Sequence, residues 1–281
     1  MAIKKPTLTQ WAYIYFHQRI WKAGFFVPGL AEVDVTPIVK AWEAVGEKPP
    51  WTAILLHALG TAGELHPAIN RAVVSPFGAL RIIQFDDVSV ALPVAFEHEG
   101  KMNSRLEVIR NPHKRTISEI RQQLRDLKKK PLNPKGPTAL LSRGKNVFWN
   151  RWLIKIGIWV MEQRPSFFEK NGASLGLSSL ATFSEPGYVT RLMALGPSAL
   201  SLTFTGTRTD EHGKSWIEVG FCFNHLVCRG DEVFIAGRTL WGLLAGKGKD
   251  GLTPYLPDPT EVRPALTEAE EPIVLKAPEI A

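Results

Sequence analysis

The run Phe221-Cys222-Phe223-Asn224-His225-Leu226-Val227-Cys228-Arg229-Gly230 constrains this chain more than any other. It reads as a β-strand that stops at a glycine, and residues 231–244 behind it read as a helix. A chain that turns so abruptly from strand to helix lays helices across a sheet. His225 stands beside the break. An imidazole at the end of a buried strand is well placed for general base work, because its unperturbed pKa is about 6.5.

Other segments supply both layers. Thr36-Pro37 is an N-cap with proline at the first helical position, opening a helix that ends at Gly46. A second helix, 51–65, stops before Pro67. Strand-like segments follow at 79–85, 88–96 and 106–110. Thr116-Ile117-Ser118-Glu119 is a capping box that opens a basic helix to about Lys128, followed by a proline-rich loop from Lys130 to Pro137. A helix over 147–162 places Arg151, Lys155 and Glu162 on one face and Phe148, Trp152, Ile156 and Trp159 largely elsewhere. Further strands fall at 175–179, 199–206 and 215–223. Neighbours pair like hairpins rather than in strict βαβ alternation. The expected architecture is therefore α/β, a two-layer sandwich with a mixed sheet. Proline and glutamate dominate from Lys247, so the expected division is a folded domain over 1–246 and a flexible tail over 247–281.

The chain has 281 residues, 44% of them apolar and nine of them Trp, ample for a real core. Cys222 and Cys228, placed on one strand, would sit roughly 20 Å apart, too far to pair. The N-terminus has no apolar signal region and no apolar run is long enough to span a membrane. These features point to a cytoplasmic protein with no transmembrane span. Charge is uneven. Residues 101–145 carry a net +10 and residues 250–281 a net −5. A basic patch suits a phosphorylated cofactor, a nucleic acid or an anionic membrane, and a solvated helix face equally. Residues 114–130 have no aromatic side chain among their cations, so a nucleic-acid role is not expected.

Several blocks, in order, resemble the chloramphenicol acetyltransferase-like superfamily, which includes the catalytic domains of the 2-oxoacid dehydrogenase acyltransferases. Ala31-Glu32-Val33-Asp34-Val35-Thr36 is similar to the family's strand-to-helix entry E-V-D-V-T. His66-Pro67-Ala68-Ile69-Asn70 looks like its P-x-hydrophobic-N turn, and Asp87 to Val94 resembles the strand that follows. Leu177-Ser178-Ser179-Leu180 looks like the I-S-[NS]-L-G segment. His225 to Gly230 matches most of His-x-x-x-Asp-Gly. The blocks cover about residues 10–245. The resemblance implies a trimer whose active site lies between subunits, with coenzyme A thioester as co-substrate, no tightly bound cofactor and no metal.

Acyl transfer needs a base for the acceptor and a hydrogen-bond donor for the oxyanion. The resemblance assigns these roles to His225 and Ser178, with Ser179 as the alternative if the register slips by one. A histidine at a strand end is otherwise a satisfied structural residue, and Ser-Ser pairs are common. His57 reads as core. The remaining histidines show no metal-ligand spacing. Asn224 and Gly230 frame the histidine loop. Arg229 stands where the family has Asp, and the partner position of that Asp falls near Gln10, so both members of the family's bracing pair differ here. Asp231 or Glu32 is available to Arg229 instead. An arginine within about 4–6 Å of His225 would lower the imidazole pKa.

Two readings follow. In one, the chain is a stand-alone acyltransferase acting on a small-molecule or carrier-bound acyl substrate; it starts too close to its first predicted strand to include a lipoyl domain. In the other, the fold serves acyl-ligand binding, scaffolding, or a non-acyl condensation or cyclisation. Arg121, Arg125 and Lys128, with Lys129 and Lys130 beside them, are candidates for the coenzyme A phosphates. The aromatics of 147–162 ordinarily mean core packing. A lid over an acyl channel and a helix lying in a membrane interface are the alternatives, and either favours a long-chain substrate.

Overall fold

The structure is a computed structural model that describes residues 6–22, 24–74, 80–98, 101–129, 147–179, 198–248 and 250–257. Ala79, the proline-rich loop from Lys130, Leu180 and the tail from 258 onward lie outside the described residues.

Helix α1 (Leu8–Lys22) precedes strand β1 (Phe26–Asp34). Helices α2 (Thr36–Ala44) and α3 (Trp51–Leu65) follow, then a hairpin of β2 (Arg71–Val74) and β3 (Arg81–Gln84). Next come β4 (Ser89–His98), β5 (Lys101–Arg110), α4 (Ile117–Lys129), α5 (Phe148–Gln163) and α6 (Pro165–Asn171). The last elements are β6 (Leu175–Ser179), β7 (Leu200–Thr209), β8 (Ser215–Asn224) and α7 (Gly230–Leu244). Six strands make one sheet in the order β1-β8-β7-β6-β4-β5, while β2 and β3 form a separate pair. Only β4–β6 and β6–β7 run parallel; the other pairs are antiparallel. This is the expected mixed sheet.

Alternation along the strands makes the two layers. In β7, Leu200, Leu202 and Phe204 enter the main core, while Ser201, Thr203 and Thr205 take the opposite face. Helix α3 crosses β4 and β6, α4 packs on β4, and α7 packs on β1 and α3. Close approach explains the glycines of α3. A Cβ on Gly63 would meet Val88 at 2.9 Å and Leu175 at 3.0 Å, and one on Gly60 would meet Pro112 at 2.7 Å.

Several boundaries differ from expectation. Helix α1 has apolar side chains nearly all round, which hides its period, yet Thr7-Leu8-Thr9-Gln10 is a capping box: the Thr7 N–H donates to Gln10 Oε1 at 2.9 Å and the Gln10 N–H to Thr7 Oγ1 at 3.2 Å. Strand β5 starts at Lys101 rather than 106, because an edge strand paired only with β4 tolerates polar residues. Strand β8 ends at Asn224, so Cys228 lies in the turn beyond it and not on the strand. Thr36 does not cap α2 with its own oxygen. Asp34 Oδ1 accepts from the Thr36 N–H at 3.0 Å and from its hydroxyl at 2.6 Å, which holds the Asp34 carboxyl below the usual carboxylate range. The packed body also runs past 246. Tyr255 is fully buried, and its carbonyl accepts from Trp42 Nε1 at 2.9 Å. The segment to 257 is therefore part of the domain.

Candidate active site

The His225 turn is fixed from three sides. Asn224, wholly buried, ends β8 and organises it. Its Oδ1 accepts from the Phe25 N–H at 3.2 Å and the Leu226 N–H at 3.1 Å. Its carbonyl accepts from the Val227 N–H at 2.9 Å and the Cys228 N–H at 3.1 Å. The His225 N–H donates to the Phe25 carbonyl at 2.7 Å, which ties the turn to the entry of β1. The imidazole remains exposed, between the rings of Phe25 at 6.1 Å and Phe223 at 5.8 Å. Below it Val227 and Cys228 enter the core. Cys228 is buried with its Sγ donating to the Asn224 carbonyl at 3.5 Å, and burial raises its thiol to about 12.

Arg229 turns away from the fold. Its guanidinium is 76% exposed and grips Asp231, with Nε at 3.0 Å from Oδ1 and Nη2 at 2.8 Å from Oδ2. The Arg229 N–H donates to Glu232 at 2.7 Å, which caps α7, and Glu232 also lies 3.7 Å from Arg71. Of the two carboxylates considered for Arg229, Asp231 is the partner; Glu32 pairs with Arg208 at 2.6 Å. Gln10 is committed to the cap of α1. Gly230 opens α7 in open space, so local sterics do not demand a glycine there.

Ser178 is buried on β6, in a row with Thr203 and Gly220, and Ser179 is half-buried beside Phe204. His225 lies five residues beyond Gly220 and two strands from Ser178. At strand dimensions the two are roughly 19 Å apart within one chain. A single copy therefore does not bring them together.

The basic helix α4 lies over β4, three strand positions from β8. Arg121 is used structurally: it meets Glu47 at 3.0 Å and lies 5.4 Å over the Trp42 ring. Arg125 and Lys128 are exposed on the same face. A cleft of about 590 Å³ lies elsewhere, between β1 and α7, with Leu200, Leu202 and Phe221 as its floor and Arg238 and Lys247 on its wall. Sequence reasoning missed Phe25. Its carbonyl is what fixes His225, but 200 positions separate the two, and no local pattern could pair them.

Comparison with solved structures decides the fold. The Azotobacter vinelandii dihydrolipoamide acetyltransferase matches with a TM-score of 0.60 and 16% identity over 87% of this chain and 92% of that one. The truncated catalytic core of the Thermoplasma acidophilum 2-oxoacid dehydrogenase complex matches at 0.60 and 12% identity, over 88% and 100%. A chloramphenicol acetyltransferase matches at 0.50 and 13% identity, over 84% and 94%. The chain has the chloramphenicol acetyltransferase-like fold. No protein-family model matches the sequence, and no curated protein matches it. The first and third of these neighbours are acetyltransferases, and at such identities the likeness speaks for the fold alone.

Proposed function

We propose that this chain is an acyltransferase that draws acyl groups from a coenzyme A thioester, with its active site completed between copies in a homotrimer. The observation that carries this reading is an imidazole left open to solvent on a turn fixed by Asn224 and Phe25. The Azotobacter enzyme offers support. The mechanism described for it names a serine, a histidine and an asparagine, the serine 52 positions before the histidine and the asparagine four after it. Here Ser178 precedes His225 by 47 positions and Arg229 follows it by four. The separation of His225 from Ser178 within one chain also favours a site shared by two.

In this scheme His225 takes the proton of the acceptor, which attacks the thioester carbonyl. Ser178 of a neighbouring copy donates its hydroxyl to the oxyanion that forms. The C–S bond then breaks, and the coenzyme A thiolate leaves with the proton returned by His225. Arg125 and Lys128 are free of the contact that occupies Arg121 and suit the coenzyme A phosphates better. The acceptor is a small molecule or a carrier-bound group. Thiol release from acetyl- and longer acyl-coenzyme A, with an acceptor library, tests the scheme. His225→Ala should lower the rate by about 10²–10⁴ and Ser178→Ala by about 10²–10³. Light scattering should give about 94 kDa, three chains of 31.3 kDa. Wild-type rates in His225→Ala would refute the scheme.

Arg229 favours a second reading. A cation stands where the resemblance expects Asp and where the Azotobacter mechanism names an asparagine, as in a fold kept for acyl-ligand binding, scaffolding or a non-acyl condensation or cyclisation. Thermal shifts with acyl-coenzyme A but no thiol release would select it.

A further inference from the structure

Helix α5 buries none of its side chains. Phe148, Trp149, Trp152, Leu153, Ile156 and Trp159 all stand exposed, so its aromatics are not core. At about 100° per residue these six fall on one face roughly 140° wide. Trp149 packs edge-on against both Phe148 and Trp152, with centroids at 5.5 Å and 6.3 Å, so the face is one continuous patch. A monomer exposes such a patch where something else binds. Helix α1 lies alongside α5 and presents Trp11 and Tyr15 to it.

Cations edge this patch. Arg151 lies 5.4 Å over the Trp11 ring of α1. Lys155 lies 5.9 Å over Trp11 and 5.5 Å over Tyr15, and those two rings stack at 5.3 Å. Two positive groups are thus held in the seam between the helices, at the border of the apolar face. The α1 sequence contains no Asp or Glu, and α5 contains only Glu162, near its end and on the side of Arg151 and Lys155, so the balance along the seam stays positive.

We propose that α1 and α5 dock this protein on the surface of an anionic lipid bilayer, with the aromatic face in the boundary between headgroups and acyl chains. Three features select a bilayer over a protein. Tryptophan and tyrosine suit a layer that is apolar on one side and wet on the other, where an indole N–H keeps a partner. The cations border the apolar face, where phosphate groups would meet them. A two-fold pairing of copies through this face would set like charges against each other. The helix lies in the plane of the membrane: among the described residues no helix is long and apolar enough to cross one. The inference is independent of the acyltransferase reading.

The test is co-sedimentation of the full chain with vesicles of phosphatidylcholine containing phosphatidylglycerol, and with vesicles of phosphatidylcholine alone. The protein should pellet with the anionic vesicles, less at high salt. Trp149→Glu combined with Trp152→Glu should lower partitioning at least about tenfold, with the circular dichroism spectrum unchanged. Phe234→Glu, on the exposed side of α7, should leave it unchanged. No pelleting with anionic vesicles, or equal pelleting of the double variant, overturns the proposal. So does a smaller assembly for the double variant by light scattering, which would make this face a contact between copies.

Discussion

The turn at His225 and the aromatic pair α1–α5 are built on opposite terms. The turn has an exposed tip and a buried, hydrogen-bonded base: Asn224 alone serves four backbone N–H groups. The helices have aromatic surface and, in α5, nothing buried. The first region spends its polar groups on holding one geometry. The second leaves apolar surface in water, which adds nothing to the stability of the isolated chain. Burial separates residues that maintain the fold from residues kept for an encounter with something else.

Substitutions can break this contrast. Asn224→Ala should have the largest effect. It leaves the N–H groups of Phe25 and Leu226 without their acceptor, at about 1–3 kcal/mol each, and frees the imidazole. Chemical denaturation should show the loss, and any thiol-releasing activity should fall mainly in kcat. Overpacking comes next. Gly63→Val would press on Val88 and Leu175 and should cost about 1–3 kcal/mol in the same assay. The third effect is pH dependence. Burial holds the imidazoles of His57 and His113 below their usual range in the fold. The unfolded chain then binds more protons than the native one, so stability is full above about pH 6.5 and is lost as pH falls below it. Thermal melts of His57→Gln should show a shallower acid limb. Smallest of all, Ile156→Gln on α5 should change stability by less than about 0.5 kcal/mol. A large loss there would mean that α5 is covered in the assembled protein, and the contrast between the two regions would fail.

Much of the layer order was legible because periodicity is local. Strand alternation in 200–204 and the capping box at 116–119 each announce an element within a few residues. The E-V-D-V-T entry also carried weight, since Asp34 and Thr36 bond each other and the Ser215 N–H donates to Thr36 Oγ1 at 2.9 Å, so one short motif joins β1, α2 and β8. Helix α1 was hidden because aromatic residues on every side blur a 3.6-residue period. For the site, His225 was visible as a residue but its support was not. Phe25 is joined to it by pairing of β1 with β8, a long-range event with no local signature. The role of α5 could not be read from its pattern, because aromatics at helical spacing look alike whether they face a core or the outside.

The carbonyl of Phe25, three residues past the end of α1, holds the His225 amide. Only a short stretch of chain therefore separates that first helix from the group that fixes the His225 amide. The aromatic surface and the proposed proton carrier thus have α1 as a common neighbour in the fold.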